Sequence, residues 1–182
     1  MELVIIAISG PHGAGKSTIA KALAKEFSLR YVSAGEIFRK KAKEYGLNII
    51  EFSKYVAEHP EIDLEIDNEM RKEALKGNVV LDSQLAYWMV RDYNPISILV
   101  IASKEDRIKR IMEREKVPYE VAKKDIEIRD NIEKERFKRL YGVELWNLND
   151  FHFVINTSKL TKEESIKIAI SICRVLLNRR EK

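Results

Sequence analysis

The feature that most constrains the fold is a glycine-rich segment at residues 10–17, GPHGAGKS. It has the spacing G-x-x-x-x-G-K-[ST] and lies between an apolar run at 3–8, typical of a buried strand, and a helical pattern at 18–24. Glycines let successive backbone N–H groups turn inward around phosphate oxygens, where a Cβ would obstruct them. The helix that follows directs its positive dipole end at the same anion. The segment therefore predicts a nucleoside triphosphate site.

The side chains of this loop have distinct expected roles. Lys16 is expected to reach the β- and γ-phosphates as a point charge, and the Ser17 hydroxyl is expected to ligate Mg²⁺. A glycine-rich turn that has this spacing by chance is the alternative, and the strand and helix on either side argue against it. The residues predicted to contact the nucleotide are Gly10, Pro11, His12, Gly13, Ala14, Gly15, Lys16, Ser17 and Thr18.

The composition is that of a globular protein large enough to bury its own core. Of its 182 residues, 45% are hydrophobic and 34% are charged. No apolar run approaches the roughly 18 residues that a membrane span needs. The single cysteine, Cys173, lies in an apolar helical stretch, so we expect a buried apolar side chain and no nucleophile. One cysteine, and no room for a leader before the first strand, predict a cytoplasmic protein without disulfides.

The charge balance favours small phosphorylated partners. The formal net charge is +4 at pH 7, but most basic residues alternate with Asp and Glu on helical stretches, which is typical of solvated faces. Phosphorylated small molecules explain a modest excess of positive charge as well as a nucleic acid does. We expect nucleotides as partners, no membrane and no nucleic acid, and we favour a monomer.

Alternation of strand and helix patterns predicts the α/β class, with a parallel sheet covered by helices on both faces. The chain shows no internal repeat and no flexible linker, so residues 1–182 are expected to form one domain. Two segments, 34–77 and 103–150, are too long for simple crossovers and predict helical excursions from the sheet. The five strands are expected at about 3–9, 30–33, 78–82, 96–102 and 151–156.

Two sets of charged residues in the second long segment each share one helix face. A single arginine of this kind more often forms a surface ion pair, here Arg110 with Asp106 or Arg129 with Glu133. Like charges on one face repel, so two such faces in one excursion favour a polyanionic partner. The sets are Arg107, Arg110 and Arg114, and Arg129, Glu133 and Arg136.

The first long segment opens with a second possible phosphate site, SAGEIFR at 33–39. A glycine at a strand end, followed by an arginine one helical turn later, can present a fork to a phosphate. Further on, Pro60 is expected to end one helix and begin the next, and His59 beside it is interpreted as a helix-end or surface group. The three histidines have no metal-ligand spacing, so no zinc site is expected.

The chain resembles the nucleoside monophosphate kinases, and most closely the archaeal cytidylate kinases. The resemblance implies a three-layer P-loop kinase fold, in which a five-stranded parallel sheet is flanked by helices. Residues 34–77 then form the excursion that binds the monophosphate, and residues 103–143 form a helical lid. The segments that carry the resemblance are 10–18, 33–39, 51–63, 79–81, 85–89, 110–114, 129–142 and 154–158.

The resemblance also implies roles for individual residues. ATP lies on the loop, and a pyrimidine monophosphate, CMP or dCMP, lies under residues 34–77. Catalysis then depends on Lys16, Arg129 and Arg136, while Asp82 helps to order the water around Mg²⁺. Contacts with the acceptor are implied at Gly35, Arg39, Asp63, Gln84, Arg129, Glu133 and Arg136, and contacts with ATP at Arg110 and Arg114.

One position departs from the family pattern. Archaeal members typically have Gly-Arg where this chain has Ser83-Gln84, with the arginine near the acceptor phosphate. Gln84 keeps hydrogen-bond donors but carries no charge. We expect the chain to transfer the γ-phosphoryl group of ATP to CMP. Two alternatives stay open: a kinase for another small acceptor, such as UMP, AMP or a non-nucleotide, and an RNA-associated P-loop ATPase.

Overall fold

The chain folds around one parallel β-sheet. The computed structural model describes residues 3–143 and 146–180, without the side chains of Arg136, Leu140 and Arg180. The strand order is β2-β3-β1-β4-β5, and every neighbouring pair is parallel. The α/β prediction is confirmed. The strands are β1 (Ile5–Ser9), β2 (Arg30–Ser33), β3 (Val79–Asp82), β4 (Ile96–Ile101) and β5 (Phe153–Asn156).

The predicted strand positions agree with these bounds to within two residues at every end. The last strand begins two residues after its predicted start at 151, and residues 148–150 before it form a 3₁₀ turn capped by the side chain of Asn147. The helices are α1 (Lys16–Glu26), α2 (Ala34–Glu44), α3 (Ile49–Glu58), α4 (Pro60–Leu75), α5 (Ala86–Val90), α6 (Lys104–Glu115), α7 (Tyr119–Tyr141) and α8 (Lys162–Arg180).

Helices cover both faces of the sheet because successive strand side chains point to opposite sides. Ile6 and Ile8 of β1 pack with α1 and α8 on one face. Ile5 and Ala7 pack with α4, α5 and Phe137 of α7 on the other. Among the described helices, none is long and apolar enough to cross a membrane.

The two long segments are helical and have apolar clusters of their own. Residues 34–75 form α2, α3 and α4, and α3 ends just before Pro60 begins α4, as predicted. Residues 104–141 form α6 and α7, which pack on each other through a small apolar cluster. Cys173 of α8 is buried in the main core, which confirms its predicted apolar role, and burial raises the pKa of its thiol to about 12.

The carboxyl ends of all five strands meet at one edge of the sheet, since every pair is parallel. The glycine-rich loop follows β1, α2 follows β2 directly, and β3 ends at Asp82. Both long segments also leave the sheet from this edge. In open α/β sheets the ligand crevice forms there, so the fold gathers the predicted site residues in one place.

Candidate active site

A cavity of about 420 Å³ opens at the carboxyl edge of the sheet. The glycine-rich loop forms one end, and α2, α3 and α4 form the other. Residues of α6 and α7 lie along its side. Most of the predicted site residues line it: His12, Gly13, Gly15, Lys16, Ser17, Thr18, Gly35, Arg39, Asp63, Asp82, Gln84, Arg110, Arg114, Arg129 and Glu133.

The backbone of the glycine-rich loop has the conformation that its sequence predicts. Gly10, Gly13 and Gly15 have positive φ angles of 138°, 79° and 96°, which side chains with a Cβ rarely adopt. A Cβ on Gly10 would collide with the carbonyl oxygen of Val100 in β4. The loop leads directly into α1, so the free N–H groups of the first helical turn face the cavity.

The ammonium group of Lys16 lies inside the curve of the loop. Its Nζ donates a hydrogen bond to the Pro11 carbonyl at 2.9 Å. Burial lowers the pKa of Lys16, and the charges of Asp82 and Glu133 offset part of that effect. The geometry provides a cation at the centre of an anion-binding loop.

Two hydroxyl groups meet one carboxylate oxygen beside the loop. Ser17 Oγ donates to Asp82 Oδ2 at 2.6 Å, and the Tyr31 hydroxyl donates to the same oxygen at 2.8 Å. Burial, followed by the charge of Asp82, raises the pKa of Tyr31. Hard oxygen donors of this kind suit Mg²⁺, which keeps several waters and usually takes only one or two protein carboxylates besides phosphates. Ser17 and Asp82 therefore fit the predicted magnesium site, and Tyr31 is a neighbour that the sequence did not reveal.

Helix α6 packs directly against the loop through Arg107, which is buried, and Arg110, which is half-buried. Arg107 forms a two-bond ion pair with Asp130 of α7 and also donates to the His12 carbonyl at 3.2 Å. Arg110 donates to Thr157 Oγ1 at 2.8 Å and to the Ala14 carbonyl at 3.2 Å. These contacts tie α6 and α7 to the glycine-rich loop.

The sequence suggested surface ion pairs of Arg110 with Asp106 and of Arg129 with Glu133. Among the described residues, these arginines have other partners. Arg129 Nε pairs with Asp125 at 3.1 Å, not with Glu133. Arg110 turns inward to the loop, while the carboxylate of Asp106 bonds the Ser103 hydroxyl at 2.7 Å. Residues three or four apart share a helix face, but a third element on that face redirects the side chains.

Arg39 and Gln84 both line the cavity. The Arg39 guanidinium lies over Gly35, where an added Cβ would approach Nη1 to 3.4 Å, so the glycine leaves room for it. The Gln84 amide donates a hydrogen bond to the carboxylate of Glu133 on α7. The lining of the cavity therefore includes a cation, a neutral amide and the carboxylate that the amide contacts.

The far end of the cavity combines apolar walls with two carboxylates. Asp63 and Asp67 lie one turn apart on α4, with exposures of only 6% and 8%, and the Tyr141 hydroxyl bonds Asp67. Apolar side chains surround them. These are Phe38, Ile49, Ile66, Met89, Ile132 and Phe137.

The remaining predicted residues contribute in other ways. Gly10, Pro11 and Ala14 shape the loop and are not among the described residues that line the cavity. Arg136 lies on α7, but its side chain is outside the described part of the structure. His59 stacks on Tyr55 with a ring separation of 4.0 Å, consistent with a helix-end role.

Several residues of the site went unnoticed in the sequence. The signals for them were weak: acidic residues spaced along α7 and α4, and the polar sequence Asn-Thr-Ser after the last strand. Only contacts between distant segments give these residues a role. They are Tyr31, Asp67, Asp125, Asp130, Tyr141 and Thr157.

Residues 5–159 match the cytidylate kinase-like family. The chain belongs to this family. A cytidylate kinase from Staphylothermus marinus is 46% identical over 166 residues, which cover 91% of this chain and 94% of the relative. One from Ignicoccus hospitalis is 40% identical over 175 residues, which cover 96% of this chain and all of the relative. The family assignment confirms the resemblance found in the sequence.

The fold is shared with other small-molecule kinases. A shikimate kinase from Bacteroides thetaiotaomicron superposes with a TM-score of 0.60 over 97% of this chain and 99% of its own, at 14% identity. At that identity the likeness concerns the fold alone. It confirms the predicted P-loop kinase architecture.

Proposed function

We propose that the protein transfers the γ-phosphoryl group of ATP to CMP, and also to dCMP, giving ADP and CDP or dCDP. The observation that carries this proposal is a single cavity with two unlike ends. One end is a phosphate-binding loop, and the other is an apolar chamber with buried carboxylates. Curated relatives named cytidylate kinase match almost the whole chain and support the same activity.

The donor end binds the triphosphate of ATP. The loop N–H groups and Lys16 hold the β- and γ-phosphates, and Arg110 and Arg114 face the same nucleotide from α6. Ser17 and Asp82 would hold Mg²⁺, which would supply charge neutralisation at the phosphates. Lys16 loses its bond to the Pro11 carbonyl and turns to the phosphates.

The acceptor phosphate lies between Arg39 and the lid. Arg39 of α2 and Arg129 of α7 both line the cavity, and Arg136 lies two turns after Arg129 on α7. Gln84 contributes an amide donor. Guanidinium groups suit this position because their forked donors match phosphate oxygens in pairs.

The chamber at the far end selects the base. Carboxylates only accept hydrogen bonds, so Asp63 and Asp67 suit a ring that presents an amino group. Cytosine has an exocyclic amine at its C4 position, where uracil has an acceptor oxygen. The apolar walls, including Phe38 and Met89, pack against the faces of a single small ring. This combination favours CMP over UMP and over the purine monophosphates.

The chemistry needs positioning and charge compensation more than proton transfer. A phosphate oxygen of CMP attacks the γ-phosphorus in line, and the bond to the β–γ bridging oxygen breaks as ADP leaves. The acceptor phosphate is ionised at neutral pH, so no general base is required. Lys16, Arg129 and Arg136 stabilise the charge spread over the transferring group.

A coupled assay for ADP release with the four ribonucleoside monophosphates and dCMP tests the proposal. We expect kcat/KM for CMP to exceed that for AMP and GMP by at least about tenfold, or about 1.4 kcal/mol. Preference for a purine would contradict the cytidylate assignment but not the kinase assignment. ATP hydrolysis without transfer to any of the acceptors would contradict both.

The variant Asp63→Asn tests whether this carboxylate recognises the cytosine ring. The amide offers an N–H donor as well as an acceptor, so the preference for CMP over UMP should fall by about tenfold, the value of one lost bond of this kind. Glu65→Gln, a change on the exposed face of α4, is the matched control and should leave the ratio unchanged. An unaltered ratio in Asp63→Asn would exclude this carboxylate from base recognition.

A further inference from the structure

His12 is the one side chain of the glycine-rich loop that projects into the lid helices. Its ring nitrogens both lie 3.4 Å from Arg129 Nη1, and Nε2 lies 3.4 Å from Arg114 Nη2. The side chain is only 15% exposed. A nearly buried imidazole therefore lies between the loop and two lid arginines.

The charged groups that face His12 are mostly cations. Lys16 approaches from the loop, Arg107 and Arg114 from α6, and Arg129 from α7. On the acidic side, Asp125 Oδ2 lies 3.9 Å from Nε2 and is itself paired with Arg129, while Asp130 is occupied by Arg107. Burial first, and then Arg129 and the other cations, hold the pKa of His12 well below its ordinary value. These surroundings favour the neutral form of the imidazole.

A neutral imidazole has a nitrogen lone pair, and that lone pair can accept a hydrogen bond from a guanidinium. Arg129 Nη1 and Arg114 Nη2 both lie 3.4 Å from Nε2 of His12. The contact ties two arginines of the lid to the loop. A protonated ring has two donors and no acceptor, so it would repel both guanidinium groups.

We propose that His12 is a positioning residue that holds Arg114 and Arg129 over the loop while it is neutral, and that it takes up a proton from solvent when the phosphates of a nucleoside triphosphate enter. The inference rests on the proposed nucleotide site. Several negative charges arriving beside the ring reverse the sign of its surroundings and favour its charged form. The protonated ring then releases the two arginines and becomes a further cation beside the phosphates.

The coupling has a definite direction with pH. Because His12 is more basic in the complex than in the free protein, nucleotide binding is favoured at low pH. Affinity then falls as pH rises through the pKa of the complex, by at most about tenfold per pH unit for one coupled proton. Protonation of His12 thus changes both the position of the lid arginines and the affinity for the nucleoside triphosphate.

Proton NMR of the three histidines tests the proposal directly on the whole chain. His12→Asn and His59→Asn assign the ring signals by loss of one signal each. We expect the His12 signal to titrate at a higher pH with MgATP, in the absence of acceptor, than without it. A His12 titration that stays the same or moves to lower pH would contradict the proposal.

Calorimetry provides a second readout and separates the inference from the proposed function. MgATP binding is measured in buffers of different ionisation enthalpy, which gives the number of protons taken up. The wild type should take up more protons than His12→Asn. The affinity of the wild type alone should fall by about threefold or more between about pH 6 and pH 8. His59→Asn should behave as wild type, and His12→Gln repeats the test with another neutral side chain. Equal proton uptake in wild type and His12→Asn, with normal MgATP affinity, would overturn this inference alone. No MgATP binding at all would overturn the proposed function and this inference with it.

Discussion

Lys16 is the residue whose removal should affect transfer most while leaving the fold intact. Its ammonium makes one bond to a loop carbonyl and takes no part in the apolar core. Loss of one preorganised cation at a developing phosphate charge typically lowers kcat by about 10²–10³. We expect that loss in Lys16→Ala, measured by coupled ADP release, with an unchanged circular dichroism spectrum. Lys25→Ala, on the exposed face of α1, is the control, and near-normal turnover in Lys16→Ala would refute the loop assignment.

Gln84 should tune the affinity for the acceptor through its neighbour Glu133. The amide bonds a carboxylate that faces the same cavity, so this part of the site has a negative charge with no cation from position 84. Arginine at this position would offset that charge and offer two donors to phosphate. In Gln84→Arg we expect the KM for CMP to fall by about tenfold, with little change in the KM for ATP.

The opposite substitution gives the matched comparison. Gln84→Glu adds a second carboxylate beside Glu133, so the KM for CMP should rise while the KM for ATP again changes little. Initial rates at varied CMP and varied ATP measure both constants in each variant. If the two substitutions shift the KM for CMP in the same direction, the charge at position 84 does not control the affinity for the acceptor.

At the scale of elements, the described side chains of α6 and α7 form two ion pairs that differ in burial. Arg107 with Asp130 is the buried pair, since the Arg107 side chain is 7% exposed. Lys104 with Glu127 is the surface pair, at 52% and 43% exposure. Asp130→Asn leaves a buried guanidinium without its counter-charge, so we expect a loss of about 1.5–3 kcal/mol in the free energy of unfolding. Urea unfolding measures it.

The surface pair serves as the internal control for the same helix pair. Glu127→Gln should cost less than about 1 kcal/mol, because solvent screens exposed ion pairs and side-chain ordering offsets their attraction. Equal losses in Glu127→Gln and Asp130→Asn would mean that burial does not distinguish the two pairs. Arg107 also bonds the His12 carbonyl, so Asp130→Asn should in addition weaken MgATP binding.

At the scale of the whole molecule, the lid should tighten when both nucleotides are present. Lys16, Arg114 and Arg129 all line the same cavity, and phosphates bound there would attract all three cations. A bisubstrate analogue that joins adenosine to cytidine through a polyphosphate should slow hydrogen exchange strongly in residues 103–143. Helix α8 packs on the far face of the sheet and should show no change. If the analogue leaves hydrogen exchange in residues 103–143 unaltered, this segment is a rigid surface unit that does not close over the nucleotides.

The sequence by itself determined the loop conformation and the order of strands and helices, because these depend on local residue patterns. Three glycines before Lys16 require positive φ angles, and alternating strand and helix patterns require a parallel sheet, whose carboxyl edge collects the loop, Asp82 and both long segments. That much of the site follows from spacing alone. The family resemblance added Gln84 and gave specific roles to Arg39, Arg129 and Arg136, and of these the described side chains of Arg39, Gln84 and Arg129 line the cavity.

The tertiary structure decided which partners these side chains have. Helical spacing places Arg107, Arg110 and Arg114 on one face but leaves open what meets that face. Packing α6 against the loop turned Arg107 to Asp130 and to the carbonyl of His12, which is 95 residues away in the chain. The same packing enclosed the His12 imidazole among cations. Such contacts depend on burial and on the meeting of distant segments, and neither is encoded in the local periodicity of the sequence.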